Sequence, residues 1–359
     1  MVLLACISDC HLGYRHRFKT QRLLDYLSAF DEAVGKAMEC NPDAVVFLGD
    51  LVHHSRPDPV TLRAVVKKLI QVAQKKPVVL CIGNHEIEGH LSTTYTPVYS
   101  DIHENIHVLC TETPHVILNL RRRKVGFHGF EFIRSRERAE EALEKVTAEK
   151  LEGDINILCL HQALEKYLSP HEISIRCLRD VAPKYDLILL GHVHKHQRIR
   201  ELEDTTPAYY VGSTERVSFN EAENPTGIML FDGDFTNPKY VHVKSAPMKN
   251  IRLKADSQKP EEVASTIRQL IEENKKCKLL RIEVETKFSS LELNHDYAEM
   301  SGGFTILDVV TAAKPLEGEI AFEKISLSED LIREYFQNNG SKDKELEELC
   351  VQLYQKYGA

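Results

Sequence analysis

The chain of 359 residues lacks the marks of several protein classes. No apolar run approaches the ~18 residues of a membrane-spanning helix, so an integral helical membrane protein is not expected. The opening MVLLACISDCHLG is apolar for only seven residues and has no basic stretch ahead of it, which argues against a secretory signal. Nine cysteines are present, an odd number, and none forms a CxxC pair. A thiolate zinc site or a disulfide framework is therefore not indicated. Cys6, Cys81 and Cys159 fall inside apolar runs, where thiols behave as small hydrophobes. A cytoplasmic protein with reduced thiols is the expectation. Positive charge is also short. The net charge is −8, which argues against a generic polyanion binder. What is present is an ordinary globular balance, 42% hydrophobic and 28% charged, in a length that suits about two domains.

The charge is unevenly placed. From residue 251 onward there are 15 Lys+Arg and 21 Asp+Glu, which leaves the first 250 residues at a net of only −2. Two bound divalent cations would turn that part positive. The same part holds five short apolar runs of strand length. LLACIS leads to Asp9 and His11, AVVFLG to Asp50, VVLCIG to Asn84, His85 and Glu86, INILCL to His161, and LILLG to His192 and His194. Runs without polar alternation belong in a sheet covered on both faces. Helical-period stretches such as RLLDYLSAFDEAVGKAM and VTLRAVVKKLIQVAQ separate the first three. In strand–helix folds, ligands sit at the carboxyl ends of strands. All five runs end in a residue able to bind metal.

Asp9, His11, Asp50, Asn84, His161, His192 and His194 together offer carboxylate, amide and imidazole donors without thiolate. That set favours manganese, iron or zinc, and disfavours magnesium, which takes imidazole poorly. Seven donors suit two ions that share a carboxylate. Such a pair, ~3.5–4 Å apart, can bind a phosphate, activate water and stabilise a leaving oxygen.

The ordered set D-x-H, G-D, G-N-H-E, H and G-H-x-H, over residues 9 to 194, resembles the calcineurin-like metallophosphoesterases. The resemblance implies a four-layer α/β/β/α sandwich. It implies one metal on Asp9, His11, Asp50 and His194, and the other on Asp50, Asn84, His161 and His192. His85 would be a non-ligand histidine that meets the phosphate, and His196 an ordinary loop residue. Protein phosphatases of this superfamily read GDxVDRG, whereas this chain reads GDLVHHSRPDP. SDCHLG, GDLVH, IGNHE and GSTER are instead similar to the SbcD-type (Mre-type) nucleases of double-strand-break repair, archaeal-type members included. That likeness implies a manganese-dependent exo- and endonuclease acting on double-strand ends, single strands and hairpins. Its partner would be an SMC/ABC-type, SbcC-like ATPase. His53 would seat the DNA strand for end-directed cutting. A nucleotide or phosphoprotein phosphatase, or a DNA-end scaffold without catalysis, are the rival readings.

Basic residues fit a DNA substrate. Arg15, Arg17, Lys19 and Arg22 follow the first motif, and Arg121 to Lys124 sit between two strand-like runs, at an expected hairpin tip. Such side chains contact phosphates, or they form solvated loops. The metal motifs are confined to an expected nuclease domain, 1–246. A small α+β capping domain is expected over 247–326, with NIRLKAD, a helix opened by Pro260, and LLRIEVETKF. A C-terminal helix–loop–helix, 327–359, carries apolar stripes on Leu331, Ile332, Tyr335 and Phe336, and from Leu346 to Tyr357. It would pack on the chain itself or dock the ATPase. The resemblance also implies a homodimer through helices that include the stripe Leu62, Val65, Val66 and Leu69, which could equally be core.

Overall fold

The computed structural model describes residues 1–88, 91, 94–148, 152–233, 235–255, 259–286, 297–313 and 348–352. The apolar runs become strands that are buried along their length. β1 (Leu3–Ile7) is followed by α1 (Thr20–Glu39), β2 (Ala44–Leu48), α2 (Pro59–Ala73) and β3 (Val78–Cys81). A single turn, α3 (Tyr99–Ile102), leads to β4 (Ile106–Leu109). A second series follows: β5 (His115–Leu120), β6 (Arg123–His128), α4 (Arg136–Ala148), β7 (Ile155–His161), α5 (Ile175–Val181), β8 (Leu187–Gly191), β9 (Gln197–Arg198) and β10 (Ala208–Tyr210). The chain then returns to the first sheet with β11 (Gly227–Asp232) and β12 (Lys239–His242).

Two six-stranded sheets result, ordered β12-β11-β1-β2-β3-β4 and β5-β6-β7-β8-β10-β9. Alternate side chains explain how they stack. Leu4, Cys6, Val46, Leu48 and Val79 of the first sheet pack against Phe127, Ile157, Cys159, Leu187 and Leu189 of the second. Ala5, Ile7, Val45, Phe47 and Leu80 point the other way, onto α1 and α2. Leu158, Leu160, Ile188 and Leu190 face α4 and α5. The architecture is the α/β/β/α sandwich, and each buried Leu, Val or Phe stabilises it by roughly 1.5–3 kcal/mol. Three buried layers explain why the strand sequences show no polar alternation. α2 is started by Pro59 in its first turn and by Asp58, whose carboxylate accepts from the N–H groups of Val60 and Thr61.

The stripe on α2 belongs to this core. Val65 and Leu69 are fully buried, and Leu62 and Val66 pack on the same cluster. Leu62 and Val66 remain partly exposed at its outer edge. The hairpin expected around Arg121–Lys124 joins β5 and β6, with Arg121 and Arg122 both at positive φ (48° and 67°), as a two-residue turn demands. β6 runs parallel to β7, so the tip lies at the end of the sheet opposite His161, roughly 30 Å along the strand. Arg121 Nε donates to both carboxylate oxygens of Asp43 at 2.8 Å.

β13 (Met248–Lys254), α6 (Pro260–Glu273), β14 (Leu279–Thr286) and β15 (Ile306–Ala313) make a separate three-stranded sheet ordered β13-β14-β15. Pro260 starts α6, and the period-2 residues Leu280, Ile282 and Val284 meet Val263, Ile267 and Ile271 of that helix. Lys278 reaches Asp25 of α1 at 3.1 Å, and Arg17 reaches Asp308 of β15 at 2.9 Å. Residues 313–359 form a unit of their own. Within it Ala313 and 348–352 are described, the latter as helix. Leu349 of the expected stripe is half exposed there while Val351, off the stripe, is buried, and the rest of the expected stripes lies outside the described residues.

Candidate metal centre

All five motif segments leave the carboxyl ends of parallel strands: Asp9 after β1, Asp50 after β2, Asn84 after β3, His161 at the end of β7, and His192 and His194 after β8. The loops after β1 and β2 are stitched together by backbone bonds, His11 N–H to Asp50 O at 2.9 Å and His53 N–H to Leu12 O at 2.9 Å. Asp9, His11, Asp50 and His192 all hold positive φ, between 46° and 81°. Non-glycine residues avoid this region unless their surroundings hold them there, and such strain gathers at functional sites. Close approach also dictates two glycines. A Cβ on Gly83 would strike the Asp50 carboxylate and backbone, and one on Gly49, itself at φ +83°, would strike the His161 ring.

The seven donors converge in two groups. Asp9, His11 and His194 place one ligand atom each within 4.8 Å of one another, and so do Asp50, His161 and His192. Asp50 lies between them, with Oδ2 3.8 Å from His11 Nε2 and 3.3 Å from His161 Nε2. Asn84 Oδ1 stands 2.8 Å from His192 Nδ1 and 3.2 Å from His161 Nε2. His11 and His194 face each other, Nε2 to Nε2, at 3.0 Å.

The chemistry of His161 tests whether a cation fits. Its Nδ1–H donates to the Leu48 carbonyl at 2.7 Å, so a neutral ring turns its Nε2 lone pair toward the oxygens of Asp50 and Asn84. Three acceptors then meet in one buried space. A proton or a metal ion reconciles them. Burial opposes the charge on His161, but Asp50 and Asp9 raise its pKa to about 10, and a metal would take that proton's place. His192 is pushed down to about 3 by burial and by His161, against the weaker upward pull of Asp50. Burial raises Asp9, whereas the charges of His161 and His11 overcome the effect of burial and hold Asp50 below its ordinary range.

Around the donors lie residues that sequence reasoning left without a role. Ser8 Oγ–H donates to Asp9 Oδ2 at 2.5 Å. Glu86 is buried and accepts from the N–H groups of Asp50 (3.1 Å) and Gly83 (2.8 Å), tying two motif loops together. Burial and Asp50 push its pKa to about 8. Glu221 stands 3.2 Å from His194 Nδ1. Ser8, in SDCHLG, and Glu86, in IGNHE, fall inside quoted motifs; Glu221 carries no local signal.

His85 fits a place beside the pair. Its N–H donates to Asp50 Oδ1 at 2.9 Å and its Nδ1 bonds the His53 carbonyl at 3.0 Å, which leaves Nε2 pointing away from both. His53 stands beside His11 and His85, at the edge of the donor groups. Its ring stacks on His85 at 4.4 Å, touches Tyr14 at 4.2 Å, and its Nδ1 is 3.1 Å from His11 Nδ1. Arg15 and Arg17 are about half exposed and engaged with Asp58 and Asp308. Arg22 departs from the expected basic cluster. It is fully buried, bonded to Asp25, Glu215 and the Arg216 carbonyl. It stands four residues before Tyr26 on the inward stripe of α1, where Asp25 and Glu215 meet its charge. His196 is no free loop residue either, since it stacks on Tyr240 at 4.3 Å.

A two-sheet sandwich with histidine and aspartate donors at the strand ends is the frame of a metallophosphoesterase, and the family model for calcineurin-like phosphoesterases matches residues 2–196. The chain belongs to that family, whose members work with divalent metals. Among curated proteins it is similar to the DNA double-strand break repair protein Mre11 of Archaeoglobus fulgidus, 30% identical over 61% of this chain and 51% of that one. The protein of the same name from Methanococcus maripaludis is 26% identical over 64% of this chain and 63% of its own length. The chain thus spans between half and two thirds of these relatives. Among solved structures, a purple acid phosphatase from yellow lupin (Lupinus luteus) seeds covers 68% of this chain and 52% of its own, at 15% identity and a TM-score of 0.41. No helix among the described residues is long and apolar enough to cross a membrane, and the nine cysteines are unpaired.

Proposed function

We propose that this chain is a two-metal DNA phosphodiesterase that processes ends in double-strand-break repair, using manganese. The observation that supports this most is the pair of donor triads about Asp50, with His85 anchored on that same carboxylate. Asp9, His11, Asp50 and His194 would hold one ion, and Asp50, Asn84, His161 and His192 the other. The ions would supply charge for the phosphate and an activated water. The chain's own residues do the rest. Asp50 sets the spacing and, through its second oxygen, the His85 backbone. His85, oriented by the His53 carbonyl, offers Nε2 to the leaving oxygen, a contribution typically worth ~10²–10⁴ in rate. His53 supports both His85 and His11, and Arg15 and Arg17 would exchange their carboxylate partners for DNA phosphates.

The repair role draws on the relatives named above, whereas exo- and endonuclease activity and a homodimer follow the SbcD-type resemblance, and a cytoplasmic location follows the reduced-thiol reading of the sequence. An SMC/ABC-type ATPase partner docked through 327–359, beyond a capping domain over 247–326, follows the SbcD-type resemblance. The rival within the family is a phosphatase acting on nucleotides or phosphoproteins. A manganese-dependent assay separates them: blunt, overhanging, hairpin and circular single-stranded DNA beside p-nitrophenyl phosphate and nucleotides. Degradation of DNA is the expected result. Turnover of the small esters with DNA left intact would replace the nuclease reading by the phosphatase one.

A further inference from the structure

We infer that Glu221 is a positioning residue for the metal centre, and that the capping sheet holds it in place. The inference rests on the two-metal reading and names a part of the site that no motif carries. Glu221 Oε2 lies 3.2 Å from Nδ1 of His194, while Nε2 of the same ring points at His11 Nε2 (3.0 Å) and Asp9 Oδ1 (3.6 Å). A carboxylate on one nitrogen selects the tautomer with its proton on Nδ1. The Nε2 lone pair is then left for a cation, and the ring becomes more basic.

Glu221 is itself held. Its Oε2 accepts from the Val217 N–H at 2.9 Å and its Oε1 from the Ser218 hydroxyl at 3.1 Å. It ends a short turn, Phe219–Glu221, whose Phe219 is buried with Ala246, Met248, Leu279 and Ile306. The last three of those belong to the capping sheet (β13, β14 and β15 respectively). The Arg281 guanidinium of β14 lies 4.6 Å from the centroid of the Phe219 ring. Arg281 in turn pairs with Asp308 of β15 at 2.8 Å, the carboxylate that also takes Arg17. Packed groups therefore run without a gap from Asp308 through Arg281, Phe219 and Glu221 to His194. A shift of the capping strands against Phe219 would be felt as a change in how His194 presents its lone pair.

The bland alternative is that Glu221 only caps the loop at Val217 and Ser218. Manganese titration of the metal-free full chain by calorimetry separates the two, with protein-bound manganese followed by electron paramagnetic resonance. The wild-type chain is expected to bind two ions. Glu221→Ala is expected to weaken one of them by about 10–100-fold and leave the other unchanged. Glu221→Gln, whose amide oxygen still accepts from Nδ1–H, should lose less, and the His194 Nδ1–H resonance should persist in it and vanish in Glu221→Ala. Arg281→Ala should weaken the same ion. Unchanged affinity in folded Glu221→Ala and Glu221→Gln would overturn the positioning role. An equal loss in Ser218→Ala would reduce Glu221 to a loop cap, and an unaffected Arg281→Ala would remove the capping sheet from the chain of influence. A wild-type chain that takes up no manganese would overturn the two-metal reading together with this inference. Normal wild-type binding beside unchanged variants defeats this inference alone.

Discussion

The imidazole of His161, at the end of β7, donates from Nδ1 to the carbonyl oxygen of Leu48, the last residue of β2, across 2.7 Å. One sheet thereby orients a donor of the other. The centre stands on the seam between the sheets, and its geometry depends on how they are stacked.

Asp50 Oδ2 stands between the two donor groups, 3.8 Å from His11 Nε2 and 3.3 Å from His161 Nε2, so under the proposed bridge its removal is expected to empty both. Because its φ of 47° suits asparagine better than alanine, Asp50→Asn is the cleaner variant. Metal content measured by mass spectrometry should fall from two ions to fewer than one per chain, with phosphodiesterase activity lost. Two ions still bound at full occupancy would show that Asp50 is no bridge.

His85→Ala should keep both ions and lose ~10²–10⁴ in rate, since the residue touches Asp50 only through its backbone N–H. His53→Ala removes the ring stacked on His85 but keeps the carbonyl that orients it. It should impair digestion from DNA ends more than cutting of single-stranded circles. Equal losses on the two substrates would leave His53 no strand-seating role, and metal loss from His85→Ala would make His85 a ligand.

Arg22 is the buried counter-charge of Asp25 and Glu215. Arg22→Met should lower stability by about 3–5 kcal/mol, because it strands carboxylates in the core. Arg22→Lys keeps the charge but not the planar fork and should fall between. Urea midpoints at neutral pH provide the measurement. A midpoint within error of wild type for Arg22→Met would contradict the buried network.

His128 supplies a pH dependence away from the metal centre. Asn156 Oδ1 accepts from its Nε2–H at 3.0 Å, and its Nδ1 accepts from His115 at 2.8 Å. Burial, with His115 adding to it, lowers its pKa to about 4 against the Asn156 bond, from an ordinary ~6.5. The folded state therefore prefers the neutral ring. Its contribution is complete above pH ~6.5 and disappears as pH falls through 6.5 toward 4, on the order of 2–3 kcal/mol in all. His128→Gln should lose stability less steeply than wild type between pH 7 and 4. Parallel stability curves for the two proteins would refute the assignment.

Five apolar runs, each closed by an aspartate, asparagine or histidine, were legible in the sequence because a strand and the residue at its tip are local features. The helices were legible for the same reason, from the period of RLLDYLSAFDEAVGKAM to Pro260 opening α6. Local pattern could not tell which charged residues the fold would bury. Arg22 looked like a member of a basic cluster, and only packing on Tyr26 and Glu215 put it in the core. The stripe on α2 could be core or interface by period alone, and packing put Val65 and Leu69 in the core while leaving Leu62 and Val66 partly exposed. Leu48 and Glu221 act on histidines 113 and 27 residues away. By itself the sequence determined which donors this protein has and that each terminates a strand. Their convergence around Asp50, the bond of His161 Nδ1 to Leu48 and the packing of the three-stranded sheet on Phe219 were decided by tertiary structure. Hydrogen bonds between distant segments have no signature in either segment alone.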